Sequence, residues 1–287
     1  MIIQKVDQWV ETILVDPLNK DKLDLEQDRN QLRSSYGVCY PIVKNVYDLR
    51  VPYHSVLTRQ QDWETGQADY ERLYNLFDIS DKLAFQQEIE CFKEIYSKLT
   101  ISGRLLDIGG GYGQIRILID SSVAYVSCDP MLNMYDAFLK KRNILDAYPQ
   151  LTDHFNFICC YAEHLPFKAE SFDSAHMRSI VDHLKDADLA LKEAYRVLRP
   201  NGRLIIGSYV FGGKDGKALH RDKLKESVKQ QLARLKLYNK PDHHIWHPTH
   251  QNLRDIIASN GFNIEVELWQ PGTHDNVCFI QAKKHSY

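Results

Sequence analysis

The chain has 287 residues, which is enough for one large domain or for a domain with an appendage. With 44% hydrophobic, 26% charged and 11% aromatic residues, it has the composition of a globular protein, which excludes a disordered, collagen-like or disulfide-framework chain. The formal charge of -2 gives no overall positive field for phosphates, so DNA and RNA are disfavoured as general partners and a small or neutral substrate is favoured.

The six cysteines contain no Cys-x-x-Cys pair, so their spacing argues against zinc-ribbon and redox motifs. Thiols in apolar contexts are typical of buried core residues in a reducing compartment, and we therefore expect a cytoplasmic protein. Asp7 and Glu11 interrupt the apolar residues of the first segment, and no run of about 18 apolar residues occurs. We expect neither an export signal nor a membrane span.

Residues 1–53 differ from the rest, because short apolar pieces flank a charged stretch over 19–33. This pattern predicts a small β-rich module with a hairpin. The segment resembles the short zinc-ribbon-like family that accompanies or activates tRNA and release-factor methyltransferases, in which a Cys-Pro-x-Cys start precedes a Tyr-Pro-Ile segment, here 40–42. Asp16 and Asn19 stand at the two cysteine positions. The resemblance thus implies a metal-free module, since the thiolate ligands that zinc favours are lost.

Two amphipathic helices are predicted between residues 54 and 100, at the start of a second unit that spans 54–287. Apolar side chains recur there at helical spacing, first around Tyr70 and Phe77 and then around Phe85 and Phe92. Most of these aromatic side chains are expected in the core, and Tyr70 is also a candidate for covering a bound substrate.

After Gly103, short apolar runs alternate with helical stretches, which predicts a parallel sheet with helices on both faces. The runs are 104–108, 124–128, 155–160, 172–177, 204–207, 262–268 and 277–282. The last two flank a Pro-Gly turn at 271–272 and are expected to be antiparallel neighbours. The predicted fold is an α/β, Rossmann-like doubly wound sheet of seven strands with the last strand antiparallel, joined to the β-rich module and a helical lid.

The turn after the first of these strands, 107–113, reads Asp-Ile-Gly-Gly-Gly-Tyr-Gly and indicates a nucleoside site. Glycines at a strand-to-helix turn let the backbone approach a ligand, and Asp129 ends the next strand, where a carboxylate can accept both hydroxyl hydrogens of a ribose. Neither register of the dinucleotide fingerprint fits, because Gln114 and Arg116 occupy the positions of its last glycine. Asp107 would repel a pyrophosphate but accept hydrogen bonds from an amino group. A cofactor with an adenosine, a cationic sulfonium and an amino-acid tail fits this pattern.

Residues 103–210 resemble a class I S-adenosylmethionine-dependent methyltransferase of the branch that includes the ubiquinone and menaquinone methyltransferases. The matching segments are LLDIGGGYGQ, SCDPM, CYAEHLPF, SFDSAHMRSIVDHL and EAYRVLRPNGRLIIGSY. The resemblance implies S-adenosylmethionine as cofactor and S-adenosylhomocysteine as product. It also implies roles for ten residues: Asp107 at the amino group, Gly109, Gly111 and Gly113 in the turn, Asp129 at the ribose, Met131 against the adenine, Ala162 and Glu163 at its edge, and Met177 and Arg178 beside the methionine moiety.

Methyl transfer from a sulfonium is mainly a matter of alignment, which can supply about 7–11 kcal/mol of the barrier, so no catalytic side chain is required. If a general base acts, the candidates facing the acceptor are His176, His183 and the cluster 243–250, in which His244 is the favoured member. Trp246 of the same cluster is a candidate for binding the substrate, with plain packing as the alternative.

The cluster 243–250 is not expected to bind a metal. Its adjacent histidines precede a Pro-Thr helix start, and Thr249 is predicted to cap a helix over 250–260 with Asn252 three residues on. We therefore predict no metal.

Residues 211–260 form a long connection between the fifth and sixth predicted strands, which we interpret as a lid that selects the acceptor. The predicted helix within it has a basic face, which we interpret as a solvated surface. Contact with RNA or with an anionic membrane surface is the alternative. The leading hypothesis is a small-molecule methyltransferase, with an RNA methyltransferase and a non-catalytic cofactor-binding protein as alternatives.

Overall fold

The computed structural model describes residues 6–51, 82–132, 142–216, 244–273 and 275–285, together with a few isolated residues between these ranges. Tyr70 and most of the predicted lid, 217–243, lie outside the described residues, and so does most of the first predicted helix.

The described strands form one mixed sheet. Their bounds are β1 Leu23–Glu26, β2 Gln31–Ser34, β3 Cys39–Val43, β4 Val46–Asp48, β5 Arg104–Ile108, β6 Ala124–Asp129, β7 Asn156–Cys159, β8 Phe172–Arg178, β9 Leu198–Tyr209, β10 Phe262–Trp269 and β11 Val277–Lys284. The spatial order is β1-β2-β3-β4-β7-β6-β5-β8-β9-β11-β10.

The pairing confirms an α/β fold with a parallel centre and an antiparallel end. Strands β4, β7, β6, β5, β8 and β9, in this spatial order, pair in parallel with one another. At the two ends of this series, β4 pairs antiparallel with β3, and β11 runs antiparallel to both β9 and β10. Each strand predicted after residue 103 is present. The order reverses at β5, which places the ends of β5, β6 and β8 around one crevice, the usual position of a ligand in such sheets.

Strands of the N-terminal segment continue this sheet instead of standing apart from it. β1 to β4 form an antiparallel series, and β4 then pairs in parallel with β7 through Tyr47 opposite Ile158 and Asp48 opposite Cys159. The apolar runs of the sequence could not show this, because the pairing joins segments more than 100 residues apart.

The turn that resembles a zinc ribbon is organised by a buried carboxylate. Asp16 is 1% exposed and accepts hydrogen bonds from the amides of Leu18 and Asn19 and from the hydroxyl of Tyr40, at 2.8, 3.1 and 3.1 Å. It therefore ties the turn to β3, the strand that carries the Tyr-Pro-Ile segment.

Helices cover both faces of the sheet. Their bounds are α1 Gln8–Ile13, α2 Lys82–Tyr96, α3 Arg142–Ala147, α4 Ala187–Val197 and α5 His250–Ser259. One apolar core lies under α1, α4 and α5, and the other lies under α2 and α3. None of the described helices is long and apolar enough to cross a membrane.

Two helix starts follow from capping side chains. The Asp186 carboxylate accepts the amide of Leu189 at 3.0 Å before α4. Thr249 and Asn252 form a reciprocal capping box before α5, with a distance of 3.2 Å in each direction, which confirms the predicted cap.

Candidate cofactor and acceptor site

The glycine-rich turn lies at the carboxyl end of β5, beside the end of β6. Gly109, Gly111 and Gly113 have φ values of +68°, +52° and +79°, a region that residues with a Cβ rarely adopt. The amide of Gly109 donates to the carbonyl of Cys128 at 2.7 Å, and an ideal Cβ on Gly109 would lie 2.5 Å from Cγ2 of Ile180. The predicted turn is thus held between β6 and the segment after β8.

Asp107 lies beneath this turn and faces the interior of the protein. Asp107 is 3% exposed. Oδ2 of its carboxylate accepts a hydrogen bond from the hydroxyl of Tyr125 at 2.7 Å, and Oδ1 lies 2.6 Å from Nδ1 of His176. A Cβ on Gly110 would lie 2.3 Å from Oδ2. Alternation along β5 puts Asp107 on the face covered by α2. In this position Asp107 supports the turn, and its contact with the amino group of a cofactor stays a prediction.

His176, predicted as a candidate facing the acceptor, lies buried between β5 and α2. It is 2% exposed, and its Nε2 lies 2.5 Å from the hydroxyl of Tyr96 on α2. Burial raises the pKa of Tyr96 and that of Tyr125, so both phenols stay protonated and donate. The tautomer assigned from these contacts accepts from Tyr96 at Nε2 and donates from Nδ1 to Asp107. Tyr96, His176, Asp107 and Tyr125 form one buried chain of hydrogen bonds.

Asp129 ends β6 next to the glycine turn, where the sequence places it. It is 4% exposed, Oδ1 accepts the amide of Met131 at 2.8 Å, and the amide of Gly111 also donates to the carboxylate. Burial nevertheless raises the pKa of Asp129 to about 7, with a further contribution from Asp107. The half-buried Met131 lies two residues further on, so both residues predicted to contact the adenosine lie at this edge of the sheet.

Ala162 and Glu163, predicted at the edge of the adenine, lie in a short 3₁₀ helix after β7. Ala162 is buried, and Glu163 is 3% exposed. The Glu163 carboxylate accepts hydrogen bonds from the amides of Lys185 and Asp186 at 3.0 and 3.3 Å. Burial raises the pKa of Glu163. The carboxylate therefore holds the backbone that precedes α4, and its place at the edge of an adenine stays a prediction.

Met177 and Arg178 also take structural positions. The Met177 side chain is fully buried in the core under α4 and α5. The Arg178 guanidinium lies 4.3 Å from the ring centre of Phe92 and donates to Oε1 of Gln114. Met177 therefore packs in the core and Arg178 reaches the turn through Gln114, while their places beside a methionine moiety stay predictions.

Gln114 is a candidate that the sequence patterns did not single out. It follows Gly113 and is 8% exposed, and its buried Nε2 has no hydrogen-bond partner among the described residues. A buried donor without a partner is costly, which points to a ligand acceptor at this place. The available signal was the glutamine that closes the LLDIGGGYGQ segment.

The predicted acceptor-side residues lie together at the same edge of the sheet. His183 belongs to a short 3₁₀ helix, Val181–His183, that follows β8, and its ring stacks on that of His244 with centres 4.5 Å apart. The amides of Ile245 and Trp246 donate to the carbonyl of Asp182 at 2.8 and 3.1 Å. The half-buried Trp246 packs against the core, as its packing alternative predicts.

Known proteins similar to this chain share its central region. Residues 106–206 match the family described as methyltransferase domain. The ubiquinone/menaquinone biosynthesis C-methyltransferase UbiE of Agrobacterium fabrum is 32% identical over 105 residues, which is 37% of this chain and 40% of that protein. The chain thus matches about two fifths of the length of this curated relative.

Solved structures resemble the fold over more of the chain. The Burkholderia thailandensis 1,6-didemethyltoxoflavin-N1-methyltransferase, with bound 1,6-didemethyltoxoflavin and S-adenosylhomocysteine, has a TM-score of 0.52 and 15% identity, and the alignment covers 82% of this chain and 95% of that one. An S-adenosylmethionine-dependent methyltransferase of Thermotoga maritima, a possible histamine N-methyltransferase, has a TM-score of 0.50 and 21% identity, with 78% and 98% covered.

Proposed function

We propose that this chain, whose residues 106–206 form a methyltransferase domain of the class I S-adenosylmethionine-dependent type, transfers a methyl group to an O, N or C atom of a small-molecule acceptor. The proposal rests on one observation above the others: the glycine turn 109–113 and Asp129 end neighbouring parallel strands at one edge of the sheet. S-adenosylhomocysteine is the expected product.

The residues around the turn are assigned by their chemistry. Gly109, Gly111 and Gly113 let the backbone approach the cofactor, and Asp129 accepts hydrogen bonds from its ribose hydroxyls. Met131 lies against the adenine. Nε2 of Gln114 donates to the carboxylate of the cofactor, which gives this buried amide a partner.

The reaction is an in-line displacement in which the acceptor atom attacks the methyl carbon while the carbon–sulfur bond breaks. Alignment of the two reactants supplies most of the rate, about 7–11 kcal/mol of the barrier. His183 and His244 are the candidate catalytic side chains on the acceptor side, because they lie together at the edge of the sheet that carries the glycine turn. Trp246 is the neighbouring aromatic side chain that contacts the acceptor.

Calorimetric titration with S-adenosylhomocysteine tests the cofactor site. We expect Asp129→Asn to weaken binding at least tenfold, because an amide accepts ribose hydrogen bonds less strongly than a carboxylate. Asp120→Asn is the matched control, since Asp120 is exposed and precedes β6. Equal affinity of the wild type and the Asp129 variant would refute the assignment. A screen of metabolite pools for release of S-adenosylhomocysteine then identifies the acceptor.

A further inference from the structure

We propose that Asp182, His183 and His244 bind a divalent transition-metal cation, and that this cation holds an oxygen atom of the acceptor. The first part stands on the geometry of the three side chains alone. The second part rests on the proposed function.

Three side chains from two distant segments converge at this place. One ligand atom of each lies within 4.8 Å of the other two. Nε2 of His244 is 3.5 Å from Oδ2 of Asp182, and Nε2 of His183 is 3.9 Å from Oδ1. The two backbone hydrogen bonds from residues 245 and 246 to the Asp182 carbonyl fix the segment that carries His244. The cluster is therefore held by the backbone and does not depend on flexible side chains alone.

One oxygen of the Asp182 carboxylate accepts no hydrogen bond from the described residues. Asp182 is 6% exposed, and its buried Oδ1 has no hydrogen-bond partner among the described residues. A buried carboxylate oxygen without a partner carries a full desolvation cost, so such groups are usually paired or coordinate a metal. Oδ1 belongs to the carboxylate next to the two stacked imidazoles, and a bound cation gives it the missing partner.

The donor set selects the kind of cation. Two imidazole nitrogens and one carboxylate oxygen suit Zn²⁺, Fe²⁺ or Co²⁺, whereas Mg²⁺ and Ca²⁺ prefer oxygen ligands. Metal–ligand bonds of about 2.0–2.2 Å place ligand atoms about 3–3.5 Å apart, so small side-chain rotations complete the site. Three protein ligands leave coordination positions open, and His244 is exposed, which makes these positions accessible to a small molecule.

The cluster lies on the segment that covers the glycine turn. Ile180, whose side chain packs against Gly109, precedes Asp182 by two residues. A hydroxyl group bound to the cation loses its proton to water more readily. Its oxygen then attacks the methyl carbon, and the electrons of the carbon–sulfur bond leave with the sulfur as S-adenosylhomocysteine. The acceptor class is therefore a hydroxyl-bearing metabolite.

The sequence pattern alone argues against a metal at the histidine cluster 243–250, because adjacent histidines are a poor ligand set. The structure supplies Asp182 and His183 from the distant segment after β8. Among the described residues 244–250 of that cluster, it uses only His244 in this arrangement.

Titration of the full chain with CoCl₂, followed by visible absorption, tests the cation site. We expect about one Co²⁺ per chain, with a ligand-field band and no thiolate charge-transfer band. Asp182→Asn and His244→Gln should each weaken binding about 100-fold or more, since loss of an outer-shell partner alone costs 10–100-fold. His250→Gln is the control, because His250 also lies near a carboxylate, with Nε2 2.9 Å from Glu267, outside the cluster.

Two results would overturn the site: no stoichiometric Co²⁺ binding by the wild type, or equal loss of binding in the His250 control. Titration of the same proteins with S-adenosylhomocysteine separates this proposal from the proposed function. If the chain binds S-adenosylhomocysteine but does not bind Co²⁺, only the cation site is rejected. If the chain binds Co²⁺ but does not bind S-adenosylhomocysteine, the methyltransferase assignment is rejected and the cation site is retained.

Discussion

Removing the two phenol hydroxyls of the buried chain, one at a time, should produce unequal losses of stability. Tyr125→Phe deletes a 2.7 Å hydrogen bond to the carboxylate of Asp107, and Tyr96→Phe deletes a 2.5 Å hydrogen bond to Nε2 of His176. Hydrogen bonds to charged groups contribute about 1.5–3 kcal/mol, and neutral ones about 0.5–1.5 kcal/mol. The two tyrosines are 8% and 6% exposed, so solvent replaces neither hydroxyl. Tyr125→Phe should therefore lower the free energy of unfolding by about 1–2 kcal/mol more than Tyr96→Phe does.

Urea denaturation of the two variants and the wild type measures this difference directly. Tyr125→Phe should also weaken S-adenosylhomocysteine binding more than Tyr96→Phe, because Asp107 lies under Gly110 of the turn. In an Asp107→Asn background the additional cost of Tyr125→Phe should fall to that of a neutral hydrogen bond. The reasoning is refuted if Tyr96→Phe is the more costly substitution, or if the Asp107 background leaves the cost of Tyr125→Phe unchanged.

Three further predictions concern single side chains. Burial raises the pKa of Asp129 from 3.8 to about 7. Between pH 3.8 and pH 7 the folded chain therefore holds a proton on this carboxyl group that the unfolded chain has lost. The free energy of unfolding consequently falls as the pH rises through this range. Since the ribose needs the ionised carboxylate, nucleoside affinity by calorimetry should rise about tenfold from pH 6 to pH 8, and Asp129→Asn should remove this rise. Asp16→Ala leaves the hydroxyl of Tyr40 and two turn amides unpaired and should lower the free energy of unfolding by about 2–4 kcal/mol, whereas a loss below 0.5 kcal/mol in urea would contradict its role in the turn. Thr249→Ala removes the cap of α5 and should cost about 1 kcal/mol in the same assay, with Thr152→Ala, which caps no described α-helix, as the comparison.

The core strands and helix caps could be predicted because their causes are local. Apolar runs such as 104–108 and 172–177 need only the alternation of the chain, and the Thr249 cap needs only Asn252 three residues later. The glycine turn was recognisable for the same reason, since the positive φ values of Gly109, Gly111 and Gly113 favour glycine strongly.

Side-chain direction could not be predicted from those patterns. Glu163 and Met177 occupy the predicted positions in the chain, yet one holds the backbone before α4 and the other fills the core. A residue at a strand end can turn toward the ligand edge or toward the interior, and the partners that decide, such as the amide of Lys185, lie far along the chain.

The sequence by itself determined the α/β order, the glycine turn and the acid at the end of the next strand, because each depends on neighbours within a few residues. Only the tertiary structure decided that Asp107 joins His176 in a buried chain and that Asp182 meets His244. Both arrangements depend on packing between segments more than 60 residues apart, which brings groups together that no local spacing connects.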